Sequence, residues 1–136
     1  MLRTLDISTS GLVAQRQRMN TISGNIANIN TTRNEEGKLS PFQRRLVTFT
    51  PDSAGGPNGG GVGVNFRVEL DTSAQPRQVF QPGHPDADAA GYISYPGINL
   101  TTEFVNALEA SRAYEANIAA IDITKGILGQ TLKILA

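Results

Sequence analysis

The chain has no cysteine, no tryptophan, a single histidine and no excess of either charge. Without cysteine there can be no disulfide, no thiol nucleophile and no thiolate-held metal. The same absence suits a protein that passes through an oxidising compartment without risk of wrong pairing. Twelve lysines and arginines balance twelve aspartates and glutamates, so the basic surplus expected of a binder of nucleic acid or anionic membrane is missing. Eight aromatics in 136 residues leave no material for a large aromatic core. No stretch of membrane-spanning length and apolarity occurs, so membrane insertion is not expected. Residues 1–10 lack the basic start and apolar block of a cleavable secretory signal. Export, if it happens, would use another route. The length corresponds to one domain's worth of chain.

What is present lies at the two ends. Leu100 to Leu135 contains no proline, and its apolar residues recur in steps of three and four: Leu100, Phe104, Ala107, Tyr114, Ile118, Ile121, Leu128, Leu132 and Leu135, interrupted only by Ser111 and Lys125. This spacing predicts a long amphipathic helix whose seam needs a second helix to cover it. Asn99 is placed to cap it, and Glu103 falls in the first turn, where a negative charge suits the helix dipole. At about 1.5 Å per residue the helix would run roughly 50 Å, whereas a compact chain of this length would be about 35 Å across. The first thirty residues answer it. Leu5, Leu12, Met19, Ile22, Ile26 and Ile29, with Ser8 and Gln15 between them, give a second heptad-like helix over about Thr4 to Ile29. Gly11 and Gly24 each weaken that helix by about 1 kcal/mol relative to alanine, so it needs packing partners to hold. Gly126 and Gly129 weaken the other helix in the same way. The glycines are either tolerated or serve to let helix backbones approach closely.

The middle holds all seven prolines and most of the fourteen glycines. Asn28, Asn30, Thr31 and Thr32 stop the first helix. Arg33 to Pro41 reads as a mobile loop, Phe42 to Phe49 as a strand, and Pro51 to Gly61, rich in glycine and proline, as a flexible loop. Val62 to Leu70 alternates apolar and polar residues and is the clearest strand. Arg77 to Phe80 and Gly91 to Tyr95 are short strands, separated by the turn-rich Gln81–Asp88. The expected fold class is α+β, with two long terminal helices paired as an antiparallel coiled coil around a small irregular β region with long loops. The expected division is residues 1–31 for the N-terminal helix, 32–98 for the insert and 99–136 for the C-terminal helix.

Little in this pattern carries catalytic or cofactor chemistry. The run Gly59–Val64 leads into a strand instead of opening a helix, and no lysine with serine or threonine follows it, so it does not form a phosphate loop. His84 with Asp86 and Asp88 lies on a Pro/Gly turn that fixes no coordination geometry, which makes a solvated turn the better reading than a metal site. No nucleophile-elbow pattern accompanies the lone histidine. No enzyme, cofactor or metal is expected.

Residues alone stop at two terminal helices that pair or assemble around a β insert. That description fits an assembly subunit or a soluble coiled-coil adaptor, and a small enzyme would need a pocket the sequence does not suggest. Specific segments go further. Leu5-Asp6-Ile7-Ser8-Thr9-Ser10-Gly11-Leu12 and Ser23-Gly24-Asn25-Ile26-Ala27-Asn28-Ile29-Asn30-Thr31 resemble the N-terminal motif of bacterial flagellar rod and hook proteins. Gln81-Pro82-Gly83-His84-Pro85-Asp86-Ala87-Asp88-Ala89-Ala90-Gly91-Tyr92 and Ser111-Arg112-Ala113-Tyr114-Glu115-Ala116-Asn117 narrow the resemblance to the proximal rod. It covers nearly the whole chain and is weakest between Arg33 and Gly61.

The resemblance implies a structural subunit of the flagellar basal-body rod, exported by the flagellar type III apparatus without signal cleavage. Its partners would be other rod subunits and copies of itself in a helical assembly, together with proteins on the export-gate and MS-ring side and distal rod proteins. The residues expected at the assembly interface are Leu12, Met19, Ile22, Ile26, Ile29, Phe104, Tyr114, Ile118, Ile121, Leu128, Leu132 and Leu135.

Overall fold

A computed structural model describes residues 2–52 and 63–135 of the chain. The order of elements is α1 (Leu2–Ala27), β1 (Arg45–Pro51), β2 (Val64–Leu70), β3 (Arg77–Phe80), β4 (Tyr92–Tyr95) and α2 (Leu100–Leu135). The fold class is α+β. Most of the glycine-rich loop, Gly59–Gly61 of the rejected phosphate loop and Val62 at the head of the expected strand lie outside the described residues.

α2 begins where the sequence predicts, because Asn99 caps it: Asn99 Oδ1 accepts the Thr102 N–H at 3.1 Å, relieving one of the unpaired amides of the first turn. α1 starts two residues earlier than expected and ends at Ala27. Asn28 closes it, its Nδ2 donating to Gly24 O at 2.9 Å in competition with a further helical turn.

The strands form two separate two-stranded sheets, β1 with β2 and β3 with β4. Asp52 N–H donates to Gly63 O at 2.9 Å and Asp71 N–H to Arg44 O at 2.8 Å, so β1 and β2 run antiparallel. β1 starts three residues later than the expected strand, since Phe42 N–H is used by Thr31 O and the Arg44 side chain is drawn to carboxylates. β3 and β4 pair antiparallel, with Arg77 opposite Tyr95 and Phe80 opposite Tyr92. Gly91 stands before β4 with φ +83°, a left-handed conformation that favours glycine.

Residues 33–41, expected as a mobile loop, form a hydrogen-bonded turn instead. Arg33 and Leu39 make a bridge, Ser40 N–H donates to Thr32 O at 3.0 Å, and Asn34 and Lys38 bond at 3.0 Å. Polar composition marked this stretch as a loop, and its Asn34 side chain supplies the acceptor that ties the turn, taking the N–H groups of Glu36 and Lys38.

The chain divides into two compact units, taken over their described residues: Met1–Met19, Val47–Arg67 and Ala107–Ala136 form one, and Asn20–Leu46 with Val68–Asn106 the other. Each contains a stretch of both helices. Ala14 and Ala110 are buried in the first, and Ile22, Asn25, Ile93 and Glu103 in the second.

Candidate assembly interface

In the first unit the helices meet through small side chains. A Cβ on Gly11 would lie 2.9 Å from Asn117 Oδ1, so a larger residue here would require the Asn117 side chain to shift. Asn117 is held in place by its Nδ2, which donates to Ala113 O at 2.9 Å. Ser10 donates to Ile7 O at 2.7 Å and accepts the Val64 N–H at 2.9 Å, fastening α1 to the start of β2. Arg18 and Glu109 form an exposed ion pair at 2.9 Å, an arrangement that contributes little to stability. Of the helix glycines, Gly24, Gly126 and Gly129 face open space, so close approach explains Gly11 and tolerance explains those three.

In the second unit a buried polar hub takes the place of an apolar seam. Asn25 Nδ2 donates to Arg45 O at 2.9 Å and to Glu103 Oε2 at 3.1 Å, while its Oδ1 accepts the Arg45 N–H at 2.9 Å. Arg44 grips Glu103 Oε1 through Nε at 2.9 Å and Nη2 at 2.6 Å, and reaches Asp71 Oδ2 through Nη1 at 3.0 Å. Burial works to lower the Arg44 pKa, but its bonds to Glu103 and Asp71 outweigh that effect and raise it. The Asp71 carboxyl is lowered to about 2, first by the Ser73 hydroxyl and then by Arg44. Glu103 therefore does more than suit the helix dipole. It is only 1% exposed and joins α1, α2 and the segment before β1. Arg44, Asp71 and Asn25 were missed as its partners because they lie far away in sequence and share no motif with it.

The His84–Asp88 turn of the second unit is built by hydrogen bonds. His84 Nδ1 accepts the Asp86 N–H at 3.1 Å. The Asp86 side chain, nearly buried, takes Arg33 Nε at 2.7 Å, a second bond from Arg33 Nη2, and the Thr32 hydroxyl at 2.7 Å. Arg33, chiefly, holds the Asp86 carboxyl below its ordinary range. Asp88 Oδ1 accepts the N–H groups of Ala90 and Tyr92, both at 2.9 Å. Asp86 is thus not the solvated residue its turn suggested. No group of three potential metal ligands occurs among the described residues.

Large apolar side chains lie mainly outside both cores. Ile22 is buried; Leu12, Met19, Ile26, Ile29, Tyr114, Ile121 and Leu128 are half-buried; Phe104, Ile118 and Leu132 are exposed. The Leu135 side chain lies outside the described residues. Val105, Leu108, Ile123, Ile127 and Ile134 on α2 are exposed as well, and periodicity did not single them out. Among the described residues no helix is long and apolar enough to cross a membrane. Exposed apolar surface on this scale marks a candidate site for contact with another protein surface.

The family of flagella basal body rod proteins matches residues 5–33, and the C-terminal family of flagellar basal body rod FlgEFG proteins matches residues 89–134. These spans contain Gly11, Asn25, Glu103 and Asn117. The chain is 39% identical over 132 residues to the flagellar basal-body rod protein FlgC of Yersinia enterocolitica, across 97% of this chain and 96% of that one. It is 36% identical to FlgC of Salmonella typhimurium with the same coverage. To FlgC of Bacillus subtilis it is 35% identical over 145 residues, across 96% and 95% of the two chains. The chain belongs to the FlgC family of flagellar basal-body rod proteins. As a member of the FlgC family it is a structural subunit of the flagellar basal body that assembles with other rod proteins, and not an enzyme. The adaptor reading falls with this kinship, which spans nearly the full length.

Proposed function

We propose that this chain polymerises, with copies of itself and with other rod subunits, into the helical shaft that transmits motor torque. In this reading residues 1–31 and 99–136 pair as an antiparallel coiled coil and form the shaft core. Residues 32–98 are the insert that distinguishes this subunit from its neighbours. The approach of Gly11 to Asn117 and of Arg18 to Glu109 supports the antiparallel sense. The observation that carries the proposal is the number of exposed large apolar side chains on α2 between Phe104 and Ile134. Left in water such surface is a liability; against neighbouring subunits it is a source of association energy of about 25 cal/mol per Å² buried. Contacts that do not close on themselves extend into a helical tube. Intrinsically weak helices suit passage of an unfolded chain through the type III export apparatus. Its further partners in this reading are proteins on the export-gate and MS-ring side and distal rod proteins. Half-buried Leu12, Met19, Ile26, Ile29, Tyr114, Ile121 and Leu128 act together with exposed Phe104, Ile118 and Leu132 as packing anchors, and Leu135 joins them on the sequence pattern alone. Complementation of a strain lacking this subunit tests the reading: Ile118→Asp should give secreted but unassembled subunit and non-swimming cells, and normal rods in that strain would refute it.

A further inference from the structure

β3 and β4 stay in contact past the end of their ladder. Continued beyond Arg77 and Tyr95, their register sets Pro76 against Pro96 and Gln75 against Gly97. There the chain leaving β4 turns sharply, Ile98 N–H donating to Pro96 O at 2.9 Å, and Gly97 is pressed onto the chain that leads into β3. A Cβ on Gly97 would run into the Gln75 carbonyl oxygen, and would lie 2.9 Å from the carbonyl carbon of Gln75 and 3.3 Å from that of Ala74. These are backbone atoms, which cannot swing aside as the Asn117 side chain beside Gly11 can. Gly97 does not have the positive φ of Gly37 and Gly91. The place demands the absence of a side chain, not a left-handed backbone.

The loop pressed against Gly97 is itself held. Asp71 Oδ1 accepts the Ser73 hydroxyl at 2.6 Å, the Ser73 N–H at 3.0 Å and the Ala74 N–H at 3.3 Å. Asp71 Oδ2 accepts Arg44 Nη1 at 3.0 Å, and Arg44 carries on to Glu103 Oε1 in the first turn of α2. Glu103 N–H returns to Asn99 O at 3.0 Å, just beyond Gly97. All of these residues belong to the second unit.

We propose that Gly97 and Asp71 are positioning residues: with Gln75, Arg44 and Glu103 they close a ring of contacts that clamps the first turn of α2 to the β3–β4 sheet. A helix entered from a Pro-Gly turn and held at one point is free to swivel. Here two points hold it, the backbone contact at Gly97 and the buried ion pair at Glu103, and Asp71 joins one to the other. Because each link leans on the next, loosening one loosens the rest. In the rod reading, on which this consequence alone rests, load carried along α2 passes to the insert without slack.

Hydrogen exchange of the purified full chain, followed by NMR, tests the ring. Gly97→Ala should speed exchange of the Arg44 Nε–H, whose bond is to Glu103, by about tenfold or more relative to the amide N–H groups of β3 and β4. Gly83→Ala, whose methyl group would meet nothing within 4 Å, should change neither. Equal acceleration of the Arg44 side chain and the β3–β4 amides would mean that Gly97→Ala only lowers the stability of the unit, and would overturn the clamp. An unchanged Arg44 signal would overturn it as well. If Gly97→Ala does not fold, Asp71→Asn decides. It keeps the Oδ1 acceptor but loses the charge that holds Arg44, and it should shift the amide resonances of Gly97 and Ile98, which make no hydrogen bond to Asp71. Unmoved resonances would refute the ring. Neither readout depends on assembly, so the rod reading stands or falls separately.

Discussion

The two compact units bring α1 and α2 together by different means. In the first, a glycine against an asparagine and two buried alanines allow close approach, and the only ion pair between the helices there that is described sits at the surface. In the second, Asn25, Glu103, Arg44 and Asp71 form a hub in which each member has a specific partner. A buried polar hub is satisfied in one register only. The difference separates two tasks in the proposed reading: the hub fixes how the chain meets itself, and the large apolar residues left exposed would be covered by neighbours.

The largest effect should come from charging a half-buried residue expected at the assembly interface. Ile121→Asp places an unpaired charge in a surface meant to be buried, and rods should be absent from basal bodies isolated from cells carrying it. Next is the hub. Glu103→Ala leaves Arg44 with Asp71 alone and should cost about 3 kcal/mol or more, read as a lower urea midpoint of the purified chain; an unchanged midpoint would show that the hub contributes nothing to the fold. In the first unit Gly11→Leu should cost about 1–3 kcal/mol through overpacking. Adding Asn117→Ala should recover part of it, while Gly11→Ala should be nearly neutral as about 1 kcal/mol of helix propensity offsets a tight contact.

The smallest effect is acid sensitivity. The folded-state pKa values of Asp71 and Asp86 lie below the ordinary 3.8, Asp71 at about 2. Lowered carboxyls stabilise the fold fully above the unfolded value and lose that contribution as pH falls toward the folded one. The thermal midpoint should therefore hold between pH 5 and pH 7 as far as these groups are concerned, and fall below about pH 4. Asp71→Asn should flatten the lower part of that curve.

Element positions were legible because local signals set them. Asn99 capped α2, Pro76 and Pro82 bracketed β3, and apolar periodicity, broken at only two seam positions in each, marked both helices. Which side of α2 faces α1 was not legible. Heptad reading assigns the largest apolar residues to the intramolecular seam, yet Phe104 and Leu132 are exposed while Ala110 and Glu103 are buried. A helix that must also contact neighbouring chains carries more than one apolar stripe, and periodicity cannot say which stripe belongs to which contact. The hub escaped for another reason: Asn25, Arg44, Asp71 and Glu103 become neighbours only through the fold. The Arg33–Asp86 pair, which orders both the 33–41 turn and the proline-histidine turn, escaped in the same way.

Single-cysteine labelling along α2 tests the central claim most directly. Leu108→Cys, Ile123→Cys and Ile127→Cys should react rapidly with a thiol probe in the free chain and be protected in intact basal bodies, because neighbouring subunits cover that face. Equal reactivity in both states would mean that these exposed apolar side chains are not at the assembly surface.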